Sequence, residues 1–120
     1  MSERIAFEVN ERPDTMVMSC LKGHITCSYR DLVDTFGKPN DLDMEDGDKV
    51  WNSWVVEFNK YDSDGALDGV IKASIYDWKE AHPLDSIERE TNRWHIGGYD
   101  REAEWLVHDA VNGNIQQEIV

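Results

Sequence analysis

Residues 93–111, RWHIGGYDREAEWLVHDAV, place a short apolar strand, a Gly-Gly pair and an amphipathic helix in one run. Trp94 and Ile96 alternate with Arg93 and His95 at the period of a strand, and Gly97-Gly98 reads as the turn that follows 93–96. From Asp100 onward, Ala103, Leu106, Val107, Ala110 and Val111 recur at helical spacing, and Gly113 closes the helix. The tail 113–120 lacks periodicity and is expected to fray. A strand feeding a helix across a tight turn makes the chain a mixed α and β protein, so the rest of the sequence is read for the sheet.

Upstream, residues 4–9 set Ile5, Phe7 and Val9 against polar neighbours, the alternation of a half-buried strand. Two further strands, 15–21 and 25–27, are expected to be joined by Lys22-Gly23-His24, with Gly supplying the positive φ of a primed hairpin turn. If Gly23 and His24 are the central turn residues, Cys20 and Cys27 face each other across that hairpin; free thiols are expected in a reducing compartment. Residues 28–37 carry a helix signature. Ser28 caps, Asp31 completes a capping box, Cys27 and Leu32 have the spacing of a hydrophobic staple, and Tyr29, Leu32, Val33 and Phe36 form the buried stripe before Gly37 and Pro39.

A second hairpin is expected from 50–58 and 69–78, closed near Asp64-Gly65. Val50, Trp54, Val56 and Phe58 share one face of its first strand, with Trp51 and Val55 on the other; Ile71, Ala73 and Ile75 oppose Tyr76 and Trp78 in its second. Strands apolar on both faces belong in the middle of a sheet. Residues 80–92 have no clear period and read as a long loop. The expected fold is therefore α+β, one domain over 1–120, with an antiparallel sheet of about five or six strands and two helices packed on one face.

The chain has 120 residues, 40% of them hydrophobic, with 25 Asp and Glu against 12 Lys and Arg for a net charge of -13. Such a balance disfavours nonspecific nucleic-acid binding and anionic membranes, both of which reward cations. Self-repulsion that keeps the chain dispersed is one consequence, and a surface suited to a basic partner is the other. No apolar run reaches the ~20 residues of a membrane span, and the first residues lack the layout of a signal peptide, so cytoplasmic residence is expected.

Metal and catalytic signatures are missing. His24, His82, His95 and His108 and the two cysteines have no CxxC, HExxH or HxH spacing, and there is no GxSxG elbow or phosphate-binding GxxxxGK[ST]. The loop at 40–48 places Asp41, Asp43 and Glu45 at calcium-loop positions, but Asp46 holds the position that needs Gly, with Gly47 one residue late. The loop at 62–69 departs further, so both read as solvated turns. No metal or cofactor is expected, and a small enzyme of unknown type ranks third, behind two binding readings.

Two binding arrangements remain. In the first, Gly97 and Gly98 offer bare amides before a helix N-terminus, Arg93, His95 and Arg101 supply positive charge, and Trp94, Tyr99 or Tyr76 stack on a base: a site for a nucleotide-like anion. Asp100 competes there as the natural helix cap, and Gly-Gly with a core Trp94 explains the same residues structurally. In the second, Asp41, Asp43, Glu45 and Asp46 with Asp62, Asp64 and Asp68 line one edge of the sheet and imitate a row of phosphates.

The strings ITCSYRDLVDTFGKP, WVVEF, SIYDWKE and WHIGGYDREAEWLV carry a resemblance. Their SY-x-x-L-x-x-x-FG element at Ser28 to Gly37, IY-x-WK at Ile75 to Lys79 and WH-x-GG at Trp94 to Gly98 are similar, in that order, to a widespread group of small bacteriophage proteins of unknown function. The likeness covers roughly residues 25–111; the residues before Ile25 and the Asp-rich loops depart from it. It implies a phage origin, hence the cytoplasm of an infected bacterium, and raises by association the expectation of an antagonist of host immunity. A looser similarity, carried by no particular residue, is to phage proteins that sequester the cyclic ADP-ribose-type signal of Thoeris defence. The partners expected are thus a small nucleotide signal or a host immune protein such as a CRISPR effector, with homo-oligomerisation plausible for so aromatic a small domain.

Overall fold

The computed structural model describes residues 4–11, 13, 16, 19–41 and 50–118. Six strands and three helices follow in the order β1 (Arg4–Glu8), β2 (Cys20–Cys27), α1 (Tyr29–Phe36), β3 (Ser53–Tyr61), β4 (Leu67–Tyr76), α2 (Asp85–Glu88), β5 (Asn92–Gly98), α3 (Glu102–Val111) and β6 (Gln116–Gln117). All six strands join one sheet in the order β2-β5-β4-β3-β1-β6. Every neighbouring pair is antiparallel except β1 with β6, which is parallel. The fold is α+β, as the patterning predicts.

One face of the sheet carries α1 and α3. Trp54, Val56, Phe58, Ala73, Ile75, Trp94 and Ile96 meet Leu32 and Phe36 of α1 and Ala103, Leu106, Val107 and Ala110 of α3 in a single core. Trp54 and Trp94 cross edge to face at 5.5 Å. Their ring N–H groups donate to Gly37 O at 2.8 Å and Cys27 O at 3.0 Å, so neither buried indole leaves a polar atom unpaired. Helix α1 begins as its sequence requires: Asp31 N donates to Ser28 Oγ at 2.9 Å and Ser28 N to Asp31 Oδ2 at 3.1 Å. Gly37, at φ 84°, ends it.

The β3–β4 hairpin turns through Gly65 at φ 83°, with Asp62 N donating to Ala66 O at 2.9 Å. Both strands are internal, but the ladder sits nearer the turn than the expected 50–58 and 69–78. At its open end the backbone N–H groups of Trp51 and Asn52 bond instead to the buried Asp77 carboxylate, at 2.7 and 3.0 Å. That carboxylate also accepts from Asn52 Nδ2 and from Ser86 Oγ of α2, so the expected long loop 80–92 holds a short helix and is tied to the sheet.

Three expectations need correction. No hairpin turns at Gly23: residues 20–27 form one edge strand paired along β5, which sets Cys20 and Cys27 at its two ends, and both are free thiols. Gly23 serves a close approach, since a Cβ there would lie 1.6 Å from Glu104 Oε2. Gly97 and Gly98 are likewise strand residues paired to β2 on one side and β4 on the other. A Cβ on Gly98 would meet Ala103 Cβ at 3.0 Å, and one on Gly97 would meet Ser74 Oγ at 2.6 Å, so tight packing rather than a turn selects glycine. The tail through residue 118 is docked rather than frayed. Ile115 is buried, β6 pairs with β1, and Glu118 N donates to Phe7 O at 2.7 Å while its carboxylate accepts from Tyr61 Oη at 2.6 Å.

Candidate functional site

Register builds a row of side chains on the face opposite α1 and α3. His24 of β2 stands across from His95 of β5, His95 across from Tyr76 of β4, and Tyr76 across from Ser53 of β3. Four strands at ~4.8 Å spacing make this row about 14 Å wide. Its rings touch: His24 and His95 edge to face at 4.6 Å, Tyr76 stacked on His95 at 5.5 Å, and Trp78 tilted against His95 at 5.7 Å. Gly97, next on this face of β5, lies beside the Tyr76 ring, whose Cε1 would stand 3.5 Å from a Cβ on that residue.

The backbone beneath the row is held at both ends. Asp77, between Tyr76 and Trp78, is the buried carboxylate that ties together residues 51, 52 and 86. Lys79, directly after Trp78, is the one described non-glycine residue with positive φ, at 58°. A lysine in the left-handed region costs about 1–2 kcal/mol, and such strain is concentrated at functional positions. Its ammonium lies 5.9 Å from the Trp78 ring centre, a cation-π distance. At the other end, His24 turns its peptide away from β5: its N–H donates to Glu104 Oε2 at 3.0 Å and its C=O accepts from His108 Nε2 at 2.8 Å. Two residues one turn apart on α3 thereby cap the free edge of β2.

Charge is distributed unevenly. Arg4, Arg30, Lys60, Lys72 and Arg89 each pair with a carboxylate. Arg93, like Lys22, Lys38, Lys79 and Arg101, has no carboxylate ion-pair partner among the described residues; its Nη2 lies 3.3 Å from His24 Nδ1. A guanidinium only donates, so this contact is a hydrogen bond only in the tautomer that leaves the His24 Nδ1 lone pair free. His95 Nδ1 is enclosed without a partner among the described residues. Burial first, then His24 and Arg93, hold the His95 pKa below the ordinary histidine value.

The expected nucleotide site is thus divided. Arg93, His95, Gly97 and Tyr76 share the face opposite the helices, joined by His24, Trp78 and Lys79, which sequence reasoning did not select. Trp94 belongs to the core and Gly98 faces α3. Tyr99 and Arg101 are exposed at the β5–α3 corner. The amides of Gly97 and Gly98 lie within the sheet ladders, and Asp100 Oδ1 accepts the Glu102 N–H at 2.9 Å, which puts a carboxylate at the helix start where an anion would have sat. That Tyr76 and Trp78 share a face was legible from their spacing. Adding His24 required the register of β2 on β5.

The acidic arrangement is also divided. Asp41 bonds through its backbone to Ser53 at one end of β3, whereas Asp62, Asp64 and Asp68 belong to the hairpin beyond Tyr61 at the other. Eight residue steps at ~3.4 Å separate these ends by about 27 Å, so they do not make one row. Asp43, Glu45 and Asp46 lie outside the described residues. Among the described residues, no group of three or more His, Cys, Asp or Glu is placed to hold a metal ion. No helix in the described residues is long and apolar enough to cross a membrane.

Fold and site together define an α+β protein with a six-stranded sheet, two helices over one face and a ring cluster beside Arg93 and Lys79 on the other. Compared with known proteins, the chain matches no family model, no curated protein and no solved structure.

Proposed function

We propose that the chain is a non-enzymatic binding protein of phage origin that antagonises host antiviral defence by holding a nucleotide-type signal on the Tyr76, Trp78 and His95 cluster. One observation carries this reading: in a chain of net charge -13, Arg93 lacks a carboxylate partner among the described residues and stands beside stacked, half-buried rings. A planar base stacks on Trp78 or Tyr76, while Arg93 and Lys79 meet its phosphate. Aromatic stacking on a base contributes about 1–3 kcal/mol per ring.

Native mass spectrometry after incubation with lysate of phage-infected, defence-bearing cells tests this. A bound mass of a few hundred daltons, lost in Trp78→Ala and Arg93→Glu but kept in Asp64→Asn, supports the reading. Retention in all three variants removes the site.

A second reading has its own observation. Leu67 and Val70 are exposed beside Asp64 and Asp68 on the β3–β4 hairpin, an acidic and apolar tip suited to a basic groove on a host immune protein. Under it, the same experiment yields a co-purifying basic protein that Asp64→Asn and Asp68→Asn release.

A further inference from the structure

We propose that capture on this face is proton-linked: His24 and His95 take up protons as an anion of the phosphate-ester class seats beside Arg93, so the ligand is held more tightly in mildly acidic medium. This rests on the nucleotide-binding reading and adds to it the regulation of the site.

Geometry carries the argument. His24 and His95 are directly opposed in a pair whose His24 peptide points away from β5, the arrangement that brings cross-strand side chains closest. The Arg93 bond to His24 Nδ1 exists only while that nitrogen is unprotonated. Protonating His24 removes the acceptor and leaves two cations in contact; protonating His95 adds a third at a ring separation of 4.6 Å. The other groups facing the pair do not relieve this. Tyr76 and Trp78 are uncharged rings, Lys79 over Trp78 is a further cation, and Glu104 and His108 of α3 reach the His24 peptide rather than its ring. Among the described residues no carboxylate bonds either imidazole or Arg93. An incoming anion therefore supplies the charge that the protonated cluster lacks. Burial, first, holds the His95 pKa below the ordinary histidine value, which is the sign such linkage requires.

Cyclic AMP is a suitable probe because its phosphodiester keeps one charge between pH 5.5 and pH 7.5. Its affinity is measured calorimetrically at both pH values for the intact chain and for His24→Gln/His95→Gln, with hydrogen exchange of the ligand-free β2 amides, normalised to intrinsic rates, alongside. The expected result is binding about tenfold tighter at pH 5.5, the equivalent of one unit of linked pKa change, with the pH dependence lost in the double variant. Faster normalised exchange of β2 at pH 5.5 is expected in the intact chain only. Equal affinity at the two pH values overturns the linkage and leaves the nucleotide reading standing. Exchange indifferent to pH overturns the proton trigger whatever the probe does. Absence of binding at both pH values, with His95 resonances unmoved by the probe, overturns linkage and nucleotide reading together.

Discussion

Replacing Asp77 with Ala removes an acceptor from four donors. Its carboxylate takes Trp51 N at 2.7 Å, Asn52 N at 3.0 Å, Asn52 Nδ2 at 3.0 Å and Ser86 Oγ at 2.9 Å, and the residue is only 3% exposed. Hydrogen bonds to a charged group contribute about 1.5–3 kcal/mol each, but the four share one carboxylate and are not additive. Asn52 Nδ2 keeps Pro83 O at 3.1 Å and Ser86 Oγ at 3.1 Å, so the uncompensated loss falls mainly on the two backbone N–H groups. We expect a net cost of about 3–4 kcal/mol, a large share of the roughly 5–15 kcal/mol that holds an ordinary domain. At ~3–6 °C per kcal/mol for a chain of this size, the melting temperature falls by about 10–20 °C. Asp77→Asn keeps one oxygen for the backbone pair and is expected to cost about half as much. Urea unfolding followed by tryptophan fluorescence reads the midpoint. An Asp77→Ala midpoint equivalent to a loss below about 1 kcal/mol refutes the view that this carboxylate ties α2 and the open end of the β3–β4 hairpin together.

Gly23→Ala drives a methyl into the Glu104 carboxylate and is expected to cost about 1–3 kcal/mol in thermal unfolding. Because the same displacement breaks the His24 N bond, Gly23→Ala and Glu104→Ala should combine less than additively in a double-mutant cycle. The Glu118 carboxyl is held below its usual value first by the Tyr61 hydroxyl, against an opposing effect of burial second only to it, with Asn59 and Arg4 adding to the lowering. Its folded pKa lies below the unfolded one, so its stabilisation is present above the ordinary value of about 4.5 and is lost as pH falls through the lower folded value. Exchange of the amides shared by β1 and β6 should accelerate over that acidic range in the intact chain and show no such step in Glu118→Gln. Burial, aided by Asp31, pushes the Cys27 thiol up to about 12, whereas Cys20 is exposed. A thiol reagent at pH 8 should therefore label one cysteine quickly and the second only on unfolding, with Cys20→Ser abolishing the fast phase.

Some of these features were written locally. The capping box at Ser28 and Asp31 and the Gly65 turn need no distant partner, because each is decided by bonds within a few residues. The alternation of 71, 73 and 75 against 76 and 78 separated core from opposite face before any strand had a neighbour. Glycine was the ambiguous letter. Gly65 answers a need for positive φ, while Gly23, Gly97 and Gly98 answer a lack of room, and sequence gives both the same residue.

By itself, then, the chain determined its α+β class, its core-facing residues, the α1 helix and its net acidity. Only the tertiary structure decided that β2 is one edge strand with a register shift between Leu21 and Gly23 rather than a hairpin, that the tail is latched by Glu118, and that His24, His95, Tyr76 and Trp78 meet. The reason is sequence separation. Strand pairing joins His24 to His95 and Tyr76, and Glu118 to Tyr61, across dozens of residues, through ladders whose register depends on side chains of the whole sheet rather than on any local pattern.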